Sequence, residues 1–480
     1  MKSNKTYTLA FLVTGFPPDV SGVSHFNWER AQWFAKQGNY RVVVFAPDWQ
    51  QKSDSTLARE QNENLIIERY PSKPWLPYKL THVPKFIAAS YIRKKLQYYH
   101  PDLIIVTDVE RFFLLGTWQL PGLRYAKKHR IPYIAEYHTD LYNFSAAYPG
   151  WQWLRNLARS SQLASYLYRQ IDTTICASTA ASQSCKELGI PNVKTIPFLG
   201  IDVSIYSPSR RNRKWLEPWL TAEEKHNKVL LFLGRLGFEK RVDLLIEAFT
   251  KLKRRQPNYS LIIAGDGPVE VVDRLKLLAE KVPHIHFTGF ILGEMKANLL
   301  ASCDVFCSPS PYETFGRTVV EAMASGIPVL TVDSGAVSEY ILDGINGYLV
   351  PPNDVERLAN CIEKVLLNNN TDLIQQALKD SQQLSIDQGC QNLNHFYQKL
   401  IGVSQDHKPV AKVDSRPEIN FRANSSSRLK PTKSHKSSPL KRTFAKSPWI
   451  LIPGGCQYFS QRFNQELIRL SKTGANSNVT

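Results

Sequence analysis

The stretch Lys228 to Val242, KVLLFLGRLGFEKRV, is a near-continuous run of Val, Leu and Phe that stops at Gly234-Arg235, with Lys240 five residues further on. A run that is apolar at every position, not only at alternate ones, fits a parallel strand covered by helices on both faces. Ligands of such sheets bind beyond the carboxyl ends of the strands, where Arg235 and Lys240 fall. Arg offers a planar fork to phosphate oxygens and Lys a point charge, so the two together can offset the charge on a departing diphosphate. Taken alone they are equally two surface cations on a loop. The unit recurs in Tyr259 to Pro268 (YSLIIAGDGP), Ile285 to Ile291 (IHFTGFI), Asp304 to Pro309 and Ile327 to Val332, with helical stretches between. Such units between about 228 and 350 predict a doubly wound α/β domain with its glycine-rich loops on one edge.

The N-terminal half has the same texture. Strand-like runs occur at Tyr7 to Thr14, Arg41 to Ala46, Leu65 to Arg69, Asp102 to Thr107, Pro132 to Tyr137, Thr173 to Ser178 and Val193 to Phe198, and helical patterns fill the gaps. This predicts a second doubly wound sheet. Its first strand runs into a longer loop, Gly15-Phe-Pro-Pro-Asp-Val-Ser-Gly22, and not into the Gly-x-Gly-x-x-Gly turn of a dehydrogenase.

In the C-terminal half, Glu313-Thr-Phe-Gly-Arg-Thr-Val-Val-Glu321 sets two carboxylates eight positions apart across a loop entering a helix. Gly316 can start the turn, and Val319 to Ala324 are suited to a helix packed on a sheet. The free N–H groups and positive dipole end of such a helix favour a diphosphate, and Glu321, two turns further in, can reach back towards a polar ligand. By themselves two glutamates at this spacing are also compatible with solvated helix charges.

In this order and spacing, Gly-Arg-x4-Lys, Gly-Asp-Gly-Pro, Glu-x7-Glu, Ala-x-Gly-Ile-Pro-Val and Gly-x-Asn-Gly-Tyr-Leu-Val, from Gly234 to Pro352, resemble the donor half of the retaining family 4 glycosyltransferases of GT-B fold. The texture is most similar to bacterial mannosyl- and glycolipid-forming members. The resemblance implies two Rossmann-like domains facing a cleft: an acceptor-side domain at 1–202, a linker at 203–227, a nucleotide-sugar domain at 228–385 and a crossover helix at 386–402. Under it Arg235 and Lys240 hold the donor diphosphate, Glu313 binds hydroxyls of the donor sugar and Glu321 binds the ribose. Backbone N–H groups around Gly316, Arg317 and Thr318 contact phosphate and sugar, with the base near Gly265 and Ile291. Arg241 stands where many members have glycine, a difference expected to matter little because a helix begins there.

Glu136-Tyr-His-Thr-Asp140 follows an apolar strand, and His138 resembles the family's cleft histidine, which positions the donor sugar. A lone His after a strand is otherwise a packed, hydrogen-bonded residue. Asp140 and Tyr142 are acceptor-side candidates. In the N-terminal loop only Gly22 matches the pair of glycines common in the family, as a backbone contact to phosphate or acceptor. No Asp-x-Asp occurs, so no metal is expected at the diphosphate, and Arg235, Lys240 and the helix mouth take over its neutralisation. The seven cysteines are scattered without a zinc-like cluster and fit a reducing cytosol.

Charge is unevenly distributed. Residues 403–480 carry 14 Lys/Arg and 4 Asp/Glu, +10 of the net +18. In the body, Pro71 to Pro101 has six Lys/Arg and no acid, and Leu141 to Ile171 has three Arg and no acid. Both segments are rich in aromatic and aliphatic residues: Tyr78, Phe86, Tyr91, Tyr98 and Tyr99 in the first, Trp151, Trp153, Leu154, Leu157, Tyr166 and Leu167 in the second. Basic residues interleaved with aromatics suit an anionic bilayer surface. An acidic soluble acceptor, or a solvated face over core aromatics, are the other readings. No apolar run is long enough to span a membrane and no secretory signal is present, so the expectation is a cytoplasmic protein, peripheral on the inner face of the membrane. The basic tail at 403–480 is expected to be mostly disordered, with an amphipathic stretch near Phe459 to Leu470, and carries no nucleic-acid reader motif.

These readings converge on a retaining hexosyltransferase that uses a nucleotide-diphosphate sugar and a lipid or lipid-linked acceptor. A polysaccharide-building transferase and a sugar-nucleotide epimerase of the same shape are the alternatives.

Overall fold

The computed structural model describes residues 6–49, 63–74, 82–145, 147–148, 163–256 and 258–402. Tyr78, Trp151, Trp153, Leu154, Leu157 and the tail at 403–480 lie outside the described residues.

Each apolar run forms a strand. In the N-terminal half, β1 (Tyr7–Leu12), β2 (Tyr40–Pro47), β3 (Leu65–Tyr70), β6 (Leu103–Thr107), β7 (Tyr133–Tyr137), β8 (Thr173–Cys176) and β9 (Val193–Thr195) form one parallel sheet in the order β3-β2-β1-β6-β7-β8-β9. A short antiparallel hairpin, β4 (Ser72–Pro74) and β5 (His82–Pro84), stands apart. In the C-terminal half, β10 (Lys228–Leu233), β11 (Tyr259–Ala264), β12 (Ile285–Gly289), β13 (Val305–Ser308), β14 (Val329–Val332) and β15 (Tyr348–Val350) form a second, in the order β12-β11-β10-β13-β14-β15. All its neighbouring pairs are parallel. Leu9, Ala10, Phe11 and Leu12 are all buried, as are Val229 to Leu233, which is why these strands read as unbroken apolar runs.

Both sheets reverse their strand order once, between β1 and β6 and between β10 and β13. Crevices for ligands open at such switch points, beyond the strand carboxyl ends. The loops there are Val13 to Ser21 and Gly234 to Arg241. Helices pack on the sheets through apolar stripes. In Val242–Arg255, Val242, Leu245, Ile246, Phe249 and Leu252 face the core, while Lys253, Arg254 and Arg255 lie at the negative end of the helix dipole.

The two segments that join the domains have defined places in the structure. The 203–227 segment is a packed edge of the second domain, with Tyr206, Leu216 and Glu224 buried and Arg211 and Arg213 paired with Asp304. The helix Ile386–Leu400 is built into the first domain's core, where Ile386, Cys390, Leu393, Phe396 and Tyr397 join Phe11, Phe34 and Val44. The chain crosses twice at one place, where Ile386 N donates to Ile201 O at 2.7 Å and Ile201 N to Leu384 O at 3.2 Å. Arg241 departs from expectation. It precedes the helix in the left-handed conformation, φ 51°, so the glycine common there in the family has a conformational reason.

If the crossover helix is core and not cover, Leu393→Ala should destabilise the protein by about 2–5 kcal/mol in urea unfolding. A loss well under about 1 kcal/mol would contradict that placement.

Candidate active site

The helix Arg317–Ala324 begins at Gly316, which takes φ 79°. A side chain there would both be strained and meet Val337 and the Tyr340 hydroxyl, the latter at 2.9 Å. The Arg317 and Thr318 amides are therefore first-turn donors presented at a helix mouth. Gly265 is as constrained. At φ 150° a Cβ would sit 1.8 Å from the Gly234 carbonyl oxygen, so the Gly-Asp-Gly-Pro loop lies directly on the loop that carries Arg235. Ile291 packs, partly buried, against the same domain's core.

The predicted cations and acids meet in pairs. Lys240 Nζ lies 2.5 Å from Glu313 Oε1, both largely shielded from solvent. Arg235 donates to Glu239 at 2.8 Å. Glu321 is 2 % exposed and takes a 2.8 Å bond from Lys296 on Oε1, while Oε2 is buried alongside Tyr206. Burial opposes its ionisation, but Lys296 and Arg317 outweigh it and hold the carboxyl below the ordinary range. Glu321 is thus a buried anion held by Lys296 and Arg317.

The first domain supplies the opposite wall. His138 follows β7, is 3 % exposed, and lies between Phe26 and Phe198, with ring centroids at 5.5 and 5.3 Å. Its Nε2 is 3.0 Å from Glu136 Oε2. Burial would raise the Glu136 pKa, but Arg30 and the bond from His138 hold it at about 2. A carboxylate only accepts, so Nε2 carries a proton, and Nδ1 is buried without a hydrogen-bond partner in the protein. Tyr397 of the crossover helix donates to the other Glu136 oxygen at 2.7 Å.

Bonds across the cleft join the two sets. Thr314 Oγ1 donates to the His138 carbonyl at 2.8 Å, which puts His138 and Glu313 on facing segments. Arg317 uses its side chain between the domains, on Glu29 at 3.1 Å and on the Gly200 carbonyl at 2.8 Å. Gly22 faces this arginine, since a Cβ there would lie 3.2 Å from Arg317 Cδ. Glu339 caps the helix Thr179–Glu187 across the cleft, accepting from Thr179 N at 3.0 Å and Ala180 N at 2.6 Å.

The acceptor-side candidates lie just beyond His138. Asp140 accepts from Tyr137, from Asn143 N and from Asn143 Nδ2, and Tyr142 is buried. Beside them lies Glu110, which the sequence did not flag. Burial, with Asp108 and Asp140 nearby, pushes its pKa up to about 7 against two bonds from Tyr168. The basic aromatic segment also divides. Tyr91, Tyr99 and Lys95 turn inward onto Glu68, at 2.7, 2.5 and 2.8 Å. Phe86 (60 %), Ile87 (58 %) and Tyr98 (73 %) stay exposed, and Ile87 lies with Arg93 and Lys94 along one surface hollow. In the second segment Leu167 is core and Tyr166 is about half exposed.

Two Rossmann-like domains, with paired cations and a helix mouth on one face of a cleft and a fixed histidine on the other, define a GT-B glycosyltransferase. The chain belongs to glycosyltransferase family 4: residues 20–202 match the family described as Glycosyltransferase Family 4, and residues 214–380 match Glycosyl transferases group 1. It is 30 % identical over 355 residues to a GDP-mannose-dependent alpha-mannosyltransferase of Mycobacterium tuberculosis, covering 72 % of this chain and 85 % of that one. It is also 30 % identical over 275 residues to a GDP-mannose-dependent alpha-(1-6)-phosphatidylinositol dimannoside mannosyltransferase of the same species, 55 % of this chain and 67 % of the relative. In fold it is similar to sucrose-phosphate synthase from Thermosynechococcus elongatus, with a TM-score of 0.67 and 20 % identity over 83 % of this chain and all of the other. No helix among the described residues is long and apolar enough to cross a membrane.

Glu110 gives a pH prediction. Its folded pKa lies above the ordinary value, so its contribution is fully present below about pH 4.5 and is lost as pH rises through about 7. Glu110→Gln should leave stability near pH 4 unchanged and raise it at pH 8 by on the order of 3 kcal/mol in urea unfolding. An equal effect at both pH values would contradict the buried, uncompensated carboxylate.

Proposed function

We propose that the chain is a retaining, metal-independent hexosyltransferase that moves a sugar from a nucleoside diphosphate to a hydroxyl of a lipid or lipid-linked acceptor at an anionic membrane surface. The observation that carries the reading is the facing of His138 and the Lys240–Glu313 pair across the cleft, tied by the Thr314 bond. An ion pair of this kind presents a cation to phosphate oxygens and a carboxylate to sugar hydroxyls at one point. Arg235, Lys240 and the Arg317 and Thr318 amides stabilise the departing diphosphate, Glu321 accepts from the ribose, and Gly265 and Ile291 flank the base. His138 Nδ1 accepts from a sugar hydroxyl and orients the ring. The bond from the anomeric carbon to the diphosphate breaks, the acceptor oxygen bonds from the same face, and its proton passes to a departing phosphate oxygen.

The lipid reading draws on the name of the phosphatidylinositol dimannoside mannosyltransferase and on the exposed Phe86, Ile87 and Tyr98, of which Ile87 shares a surface hollow with Arg93 and Lys94. Each cation near an anionic surface contributes about 1 kcal/mol, and aromatic rings settle at the interface.

Incubation with labelled GDP-mannose and UDP-glucose, and a membrane extract in anionic vesicles, should yield an organic-extractable labelled product. Label confined to polymer would reject the lipid acceptor, and epimerised sugar nucleotide without transfer would reject the transferase. Glu313→Ala and Lys240→Ala should each lower turnover at least about tenfold, about 1.4 kcal/mol of barrier, without unfolding the protein. Near wild-type rates in both would contradict the site.

A further inference from the structure

Just beyond His138, a short piece of the first domain reaches across the cleft to the loop that carries the predicted diphosphate cations. The Tyr148 hydroxyl donates to Glu239 Oε2 at 2.8 Å, and its ring meets Phe238 edge-on at 5.4 Å. Glu239 Oε1 accepts from Arg235 at 2.8 Å. Phe144, whose ring lies 5.1 Å from that of Tyr148, is in turn covered by the Arg235 guanidinium at 5.3 Å. Arg235 is therefore held from two sides, by a carboxylate and by an aromatic face, and the first domain contributes to both.

The burial is asymmetric. The Glu239 side chain is 2 % exposed and that of Arg235 is 41 % exposed. A buried carboxylate with one oxygen on Tyr148 and one on Arg235 is a fixed anchor, and the more exposed guanidinium is tethered to it. Gly237 makes the fold-back possible, because a Cβ at that position would lie 2.0 Å from Glu239 Oε2. Ser310 Oγ adds a 3.0 Å bond to the Glu239 carbonyl.

We propose that Tyr148 and Phe144 are positioning residues that set Arg235, through Glu239 and by ring contact, so that closure of the first domain and the grip on the donor's diphosphate are one event. Neither aromatic touches the diphosphate in this scheme. The inference rests on reading the site as one for a nucleoside diphosphate sugar, and it adds that the first domain controls the affinity of a group held by the second.

The test is calorimetric binding of GDP and of UDP to the full chain. Tyr148→Phe, which removes only the hydroxyl, should weaken the nucleotide that binds by about tenfold, the value of a hydrogen bond to a charged group. Glu239→Gln and Gly237→Ala should act in the same direction. In an Arg235→Gln background Tyr148→Phe should change the affinity less than about twofold, because residues acting in series couple and do not add. Unchanged affinity in Tyr148→Phe would overturn the positioning role while leaving the donor reading intact. An equal loss with and without Arg235 would also overturn it, since the effect would then not pass through that residue. Failure of the wild-type chain to bind either nucleotide would overturn the donor reading itself, and this inference with it.

Discussion

The buried pair of Arg30 and Glu136 holds the rest of the cleft in place. Both side chains are fully shielded from solvent. A charge in that setting is costly unless it is paired and its remaining hydrogen-bonding capacity is satisfied. Here the carboxylate gathers Arg30 from the first helix, His138 from the loop after β7, and Tyr397 from the crossover helix. Asn27 accepts from the second guanidinium nitrogen at 2.7 Å, and the guanidinium also lies over the Phe11 ring at 4.1 Å. Segments far apart in the chain are thereby fixed to one anion, and the orientation of the cleft histidine follows from it. A hydrophobic replacement of the pair could hold the helices together but would leave the ring of His138 undirected.

The second domain uses the same device closer to solvent. Lys240 with Glu313, Arg235 with Glu239 and Lys296 with Glu321 each join a cation to an acid around the helix mouth. Such pairs keep the charges at a ligand site in defined positions. In the proposed reading they also divide the labour of recognising a sugar nucleotide, since phosphate needs donors and hydroxyl groups need an acceptor. The domains are not independent in this respect. Thr314, Arg317 and Glu339 all reach the first domain, so the geometry of the donor site belongs to both halves.

Much of the fold was legible because buried parallel strands are apolar at every position and end in glycine loops. Each of the runs read as a strand is one, although the run from Val193 to Phe198 is shortened to Val193–Thr195. The motif loops after β10, β11 and β13 were also predictable as a group, since these lie at strand carboxyl ends. What sequence could not give was the partner of each charge. Glu136 lies 106 residues from Arg30 and 261 from Tyr397, and Arg317 lies 288 from Glu29. No local pattern announces those contacts. One signal was available for Glu136, which is two positions from His138 at the end of a strand and so on the same face. Composition misled in the segment from Pro71 to Pro101, where a basic, aromatic reading did not distinguish Tyr91 and Tyr99, which serve Glu68, from Phe86 and Tyr98, which face solvent.

In the proposed reaction a nucleoside diphosphate sugar, gripped by its leaving phosphate and oriented by Glu313 and His138, is attacked from the face its leaving group departs. The most direct measurement is the anomeric configuration of the transferred sugar, read from its proton and carbon couplings in the NMR spectrum of the purified product. An α-linked donor should give an α-linked product. A β-linked product would contradict the same-face geometry and with it the roles given to the helix mouth and to His138.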